Sequence, residues 1–76
     1  MKKGDIVKIT KVSDDTFGGM HPNGINPGYE KTGVLINPPK VGNKCIVGTL
    51  TTSDVVEIIS ETRFKTIFST YDIVPA

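Results

Sequence analysis

The chain has 76 residues and a mass of 8.2 kDa, which leaves room for a single domain, residues 1–76, and excludes a second. Nine basic and eight acidic residues give a net charge of +1, so no overall field attracts nucleic acid. Val and Ile supply seventeen of the 28 apolar residues, and nine residues are Thr, whereas Leu occurs twice and Ala once. Because β-branched side chains favour strands, this composition predicts an all-β protein.

Several classes of protein are excluded by simple counts. No apolar run approaches the ~18 residues of a membrane-spanning helix. The single Cys and single His provide neither an internal disulfide nor the ligand set of a structural zinc site. Met1-Lys2-Lys3 leads into Gly4-Asp5 and not into the apolar core of a signal peptide. We therefore expect a cytoplasmic protein that has no membrane contact, no cofactor and no metal.

Gly, Pro and polar turn residues divide the chain into short strands. The predicted strands cover residues 6–12, 32–36, 44–49, 54–60, 63–69 and 71–74. Pro38-Pro39 ends the second strand because proline cannot donate to a sheet ladder, and Glu61-Thr62 forms the two-residue turn of a hairpin. Five or six short antiparallel strands predict a small SH3-like barrel with one long Gly/Pro-rich loop. An orthogonal packing of two sheets is the alternative.

The predicted hairpin is apolar on both faces. Strict alternation places Val55, Glu57, Ile59, Phe64, Thr66 and Phe68 on one face and Val56, Ile58, Ser60, Arg63, Lys65 and Ile67 on the other. A sheet with one wet face should alternate more cleanly, so the second face is expected to pack against something. We predict a homo-oligomer, with a dimer as the default. The alternative is that the N-terminal strand or the long loop covers this face.

The long loop covers residues 13–31 and has no convincing periodicity. Its aromatic, apolar and His side chains are spaced among Gly and Pro, which lets backbone N–H groups approach a ligand closely. The loop residues that we consider candidates for ligand binding are Phe17, Gly18, Gly19, His21 and Tyr29. The alternative is an Ω-like loop whose apolar residues plug one end of the barrel.

Catalytic signatures are missing from the sequence. One His and one Cys make neither a nucleophilic triad nor a redox pair, so we expect a protein that is not an enzyme. Binding groups are better supplied, because hydroxyls and cations donate well to phosphate. These candidates are Thr52, Ser53, Arg63, Lys65, Ser69, Thr70 and Tyr71. For each, the structural alternative is an ordinary turn former, a solvated ion pair or a core residue.

Four segments together resemble a known group of proteins. They are 33–35 (GVL), 39–43 (PKVGN), 51–58 (TTSDVVEI), and 64–66 (FKT) with 69–71 (STY). They resemble small phage-encoded and bacterial proteins associated with counter-defence, some of which are similar to sponge proteins that sequester the cyclic nucleotide messengers of antiphage signalling such as CBASS. The resemblance covers residues 32–73. This chain has Asp54 where the pattern favours Pro, and Phe68 where it favours Asn.

The resemblance implies stoichiometric capture of a cyclic nucleotide without cleavage. It implies that Arg63 and Lys65 meet phosphates, that Thr52, Ser53, Ser69 and Thr70 donate hydrogen bonds, and that Tyr71 with Phe17 or His21 stacks on bases. Residues 18–29 would then act as a lid. A two-fold oligomer would offer both halves of a cyclic dinucleotide the same groups.

Two other functions remain open at this point. The first is an SH3-like nucleic-acid-binding module, motivated by basic residues near the N-terminus and on the hairpin: Lys2, Lys3, Lys8, Lys11, Arg63 and Lys65. The near-neutral charge makes nucleic acid the less favoured partner. The second is a protein-interaction module of phage or bacterial origin, whose apolar hairpin face docks on a larger partner.

Overall fold

The computed structural model describes residues 1–14 and 27–76, which form strands and turns. The six strands are β1 (Ile6–Asp14), β2 (Glu30–Asn37), β3 (Lys44–Val47), β4 (Leu50–Ser60), β5 (Arg63–Thr66) and β6 (Ser69–Pro75). Each strand pairs antiparallel with the next, and β1 pairs with β6, so the sheet closes into a barrel. The predicted all-β class and small SH3-like barrel are confirmed.

The barrel closes because β2 and β4 each change neighbours along their length. Residues 30–34 of β2 pair with β1, and the end of β2 pairs with β3. The first half of β4 pairs with β3, and its second half pairs with β5. Closure hides most strand edges, which open sheets must otherwise protect. β2 also approaches the turn after β3 closely, because a Cβ on Gly33 would lie 3.4 Å from the Cα of Gly48.

The core is made of alternate side chains from all six strands. Its buried members are Val7, Ile9, Leu35, Cys45, Val47, Leu50, Val55, Phe64, Tyr71 and Ile73. The rings of Phe64 and Tyr71 stack with centroids 5.6 Å apart and planes 21° apart. The single Cys45 is fully buried, as expected for a small core hydrophobe. β-Branched and aromatic residues therefore fill the interior, as the composition predicted.

Several strand boundaries differ from the sequence prediction, and the largest differences are at the start of β4 and the end of β5. β4 begins at Leu50, so Thr51, Thr52 and Ser53, which the predicted strands leave out, lie in a strand. The predicted strand 63–69 ends at Thr66, because residues 67–68 form a bend. The buried Thr66 holds this bend: its Oγ1 donates to the carbonyl of Ser69 at 3.0 Å and accepts from the N–H groups of Phe68 and Ser69 at 3.3 and 3.1 Å.

The predicted hairpin turn at Glu61-Thr62 is confirmed, since Ser60 pairs with Arg63. Its register differs from strict alternation, because pairing shifts between Val55 and Glu57 and again between Ile58 and Ser60. Val56 and Ile59 are therefore the extra residues of two β-bulges on β4. As a result Glu57 pairs with Lys65 and Ile58 pairs with Phe64, so the predicted faces of Glu57 and Ile58 are wrong.

Candidate functional site

A concavity of about 470 Å³ opens at one end of the barrel. We call it the mouth concavity; its lining residues are Met1, Pro38, Pro39, Ile58, Ser60, Glu61, Thr62, Arg63, Phe64, Ile73 and Pro75. Phe64 and Ile73 are almost fully buried and form its floor, whereas Ile58 is 47% exposed and stands at its side. The walls are thus mainly apolar, and the polar groups come from the β4–β5 turn.

The β4–β5 turn that carries these polar groups is fixed by hydrogen bonds. The backbone N–H of Thr62 donates to Oγ of Ser60 at 3.2 Å, and the two hydroxyl oxygens lie 3.5 Å apart. The carbonyl of Thr62 accepts the N–H of Ile73 at 2.8 Å, which ties the turn to β6. Two hydroxyls and the first residue of β5 are therefore held in place before any ligand arrives.

Arg63 contributes a positive charge to the mouth concavity, and Glu61 contributes a negative one. Its Nε donates to Oδ1 of Asp72 at 2.6 Å, and its Nη2 donates to Oδ2 at 3.0 Å, which is a bidentate pair between register partners on β5 and β6. The hydrogen bond from Arg63 lowers the pKa of Asp72, and the same bond raises the pKa of Arg63. The carboxylate orients the guanidinium plane and keeps one of its edges occupied.

Three predicted binding residues lie in the barrel core. Thr52 is buried, and its Oγ1 accepts the N–H of Cys45 at 3.0 Å and donates to the carbonyl of Ser53 at 2.8 Å. Ser69, the first residue of β6, is 2% exposed, and Tyr71 is 6% exposed and stacks on Phe64. These three side chains stabilise the fold and face no shared hollow with Arg63.

The remaining predicted residues lie elsewhere on the barrel or outside the described part of the chain. Lys65 pairs with Glu57 and Thr70 on the outside of β5, away from the mouth concavity. Ser53 is partly buried in β4, and Tyr29 is exposed before β2 at the opposite end. Of the predicted residues that the structure describes, only Arg63 lines the mouth concavity. Phe17, Gly18, Gly19 and His21, with most of the proposed lid, fall outside residues 1–14 and 27–76.

The mouth concavity contains residues that sequence reasoning did not select. Pro38 and Pro39 were interpreted only as strand terminators, Ile58 only as part of an apolar hairpin face, and Pro75 was not selected. A usable signal was present, because three prolines and the hairpin turn all fall at strand ends that antiparallel order places at one end of a barrel.

Comparison of the chain with protein-family models, with curated proteins and with solved structures found no match. Within residues 1–14 and 27–76, no group of three or more His, Cys, Asp or Glu side chains could hold a metal ion. The same ranges contain no helix that could cross a membrane.

Cys45 is expected to be chemically inert in the folded protein. Burial raises the pKa of its thiol to about 12, so at pH 8 only about one molecule in ten thousand carries a reactive thiolate. We predict that Ellman's reagent labels Cys45 at least about a thousand times more slowly in buffer than in 8 M urea. Equal rates in the two solvents would show that β3 opens readily.

Proposed function

We propose that this protein acts by stoichiometric capture of a small phosphate-bearing molecule in the mouth concavity, and that the ligand is a cyclic nucleotide messenger, as the resemblance implies. On this proposal the protein is a phage counter-defence protein that sequesters the messenger without cleaving it. The observation that supports it best is an apolar concavity whose polar lining consists of one guanidinium, two hydroxyls and the carboxylate of Glu61.

The size and chemistry of the mouth concavity suit a ligand that combines a ring with an anionic group. Small-molecule sites typically measure about 300–1,000 Å³ and have apolar walls with a few placed polar groups, and a volume of about 470 Å³ lies in that range. Pro38, Pro39 and Ile58 provide flat and aliphatic surface for a base. Ser60 and Thr62 provide hydroxyl groups at its edge.

Arg63 can contact a phosphate while it remains paired with Asp72. A guanidinium has five N–H groups, and Asp72 accepts from two of them, so three remain for a ligand. Because the carboxylate already fixes the plane of the guanidinium, less side-chain entropy is lost when a phosphate binds. Asp72 is thus a positioning residue and Arg63 the contacting one.

Calorimetric titration tests the proposal with a matched pair of variants. A panel of cyclic di- and trinucleotides is titrated into the wild-type protein and into two variants, Arg63→Gln and Lys65→Gln. Each variant removes one positive charge from β5. We expect at least one panel member to bind, Arg63→Gln to weaken it about tenfold or more, and Lys65→Gln to change affinity by no more than about twofold.

Three results would overturn the proposal. One is a lack of binding across the whole panel. Another is an equal loss of affinity in Arg63→Gln and Lys65→Gln, which would show that the ligand does not bind in the mouth concavity. The third is recovery of a linearised nucleotide after incubation, because capture leaves the ligand intact. Chromatography of the recovered ligand measures this last point.

A protein-interaction module is the second candidate, and exposed apolar residues at the other end of the barrel favour it. Ile67 is 53% exposed and Phe68 is 37% exposed at the β5–β6 bend. Affinity capture with the wild-type protein and with Phe68→Ser tests this candidate. A partner that the wild-type protein retains and Phe68→Ser does not would support docking at the β5–β6 bend.

The nucleic-acid alternative is less favoured, because Lys11 is buried and Nζ of Lys8 lies 4.0 Å from Glu30.

A further inference from the structure

The second half of β4 has a strand on only one side in the part of the chain that the structure describes. β3 pairs with β4 from Leu50 to Asp54. A short bridge to the loop before β3 ends this pairing, since the N–H of Val55 donates to the carbonyl of Asn43 and the carbonyl of Val55 accepts the N–H of Gly42. Beyond this point β4 pairs only with β5, to Ser60. We call residues 56–60 the open edge.

The open edge carries little of the charge protection that exposed strands commonly have, and two β-bulges, at Val56 and Ile59, interrupt it. Val56, Ile58 and Ile59 are 48%, 47% and 49% exposed, and all three are β-branched residues that favour strands. Natural edge strands are commonly protected by charged side chains or by proline, and this segment has one charge, Glu57, and no proline. Scattered exposed apolar residues are ordinary, but three within four positions along an edge favour pairing with another strand.

We propose that a second copy of this chain pairs with the open edge in antiparallel register about a two-fold axis centred on Ile58. In that register Glu57 lies opposite Ile59 of the other copy, so no two carboxylates face each other, and Val56 lies opposite Ser60. A segment with a single charge offers little to a strongly charged partner strand. An apolar strand of its own composition complements it without an ionic mismatch.

The proposed dimer brings the two mouth concavities together. Ile58 lies at the centre of the open edge and also lines the mouth concavity, so β4 of the second copy extends its wall. The pairing does not depend on the identity of any ligand. Five paired residues are a small fraction of the 4549 Å² surface, and interfaces below the standard size of about 800 Å² per partner are commonly weak. We expect a reversible dimer with a dissociation constant in the micromolar range.

Sedimentation velocity of the full chain from about 1 to 500 µM tests the proposal. The test uses Ile59→Lys, which places a charge on the open edge but lies outside the lining of the mouth concavity. The matched control is Ile67→Lys, the same exchange at a residue of similar exposure on the β5–β6 bend. We expect wild type and Ile67→Lys to dimerise with similar constants, and Ile59→Lys to weaken the dimer about tenfold or more.

Hydrogen exchange of the wild-type protein gives a second measurement that does not depend on whether a variant folds. We expect the amides of residues 56–60 to gain protection as protein concentration rises, and those of β6 to remain unchanged. A wild-type monomer at 500 µM would overturn the proposal. Equal weakening of the dimer by Ile59→Lys and Ile67→Lys would also overturn it. So would amide protection that rises with protein concentration only outside residues 56–60. Failure of the nucleotide titration would leave these sedimentation and exchange results unaffected.

Discussion

Replacing Thr66 by valine is expected to lower the free energy of unfolding by about 2–3 kcal/mol, because two backbone N–H groups lose their acceptor. Oγ1 of Thr66 accepts from the N–H groups of Phe68 and Ser69 and donates to the carbonyl of Ser69, at a residue that is 1% exposed. Valine has nearly the same shape, so the loss measures hydrogen bonding and not volume. Urea unfolding followed by circular dichroism provides the measurement.

Thr51→Val is the control for this experiment. Thr51 is exposed on β4, and exchanges at such positions usually change stability by no more than about 0.5 kcal/mol. Similar losses in the two variants would mean that the bend at residues 67–68 is not held by the hydroxyl. Faster amide exchange at Ser69 in Thr66→Val would confirm the expected cause.

Replacing Phe64 by alanine is expected to cost about 3–5 kcal/mol, which approaches the whole stability of a domain of this size. Phe64 is 1% exposed, stacks on Tyr71 and forms the floor of the mouth concavity, so its removal leaves a void between two strands. Thermal unfolding should show a transition lowered by more than about 10 °C or no cooperative transition at all.

Phe68→Ala provides the comparison, since Phe68 is the same residue type and is 37% exposed. Its expected cost is below about 1 kcal/mol. If the two alanine variants unfolded at the same temperature, the assignment of Phe64 to the core would be contradicted. The unfolding temperature of Phe64→Leu should lie between those of the two alanine variants, because leucine keeps most of the apolar volume but not the stacked pair of rings.

The strands and the hairpin turn could be predicted because they depend on local chemistry. β-Branched runs favour strands, and Pro38-Pro39 must end one of them. The start of β4 was missed because a run of Thr and Ser is typical of turns. In the barrel Thr52 instead satisfies the backbone N–H of Cys45 on β3, a contact between residues seven positions apart that no local pattern indicates.

The two bulges on β4 could not be predicted either. A bulge such as that at Val56 bends the strand and increases its local twist. Whether β4 needs such a bend depends on the positions of β3 and β5 on its two sides, which the local sequence does not encode. Strict alternation consequently placed Glu57 with Phe64, whereas the shifted register pairs Ile58 with Phe64 and directs Ile58 toward the mouth concavity.

Of the predicted binding residues that the structure describes, only Arg63 lines the mouth concavity. Hydroxyls were selected as phosphate donors, but the side chains of Thr52 and Ser69 are buried in strands. The segments that carry the resemblance contribute much of the core, including Phe64, Thr66 and Tyr71. Segments of this kind specify a barrel more directly than they specify what the barrel binds.

The open edge of β4 has a consequence for behaviour at high concentration. Exposed strand edges that join head to tail add subunits without limit and produce fibres, whereas a two-fold junction uses the same surface on both subunits. Once two copies have paired along residues 56–60, that edge is consumed on each of them. Growth would therefore stop at two subunits, and a concentrated solution should stay clear instead of forming filaments.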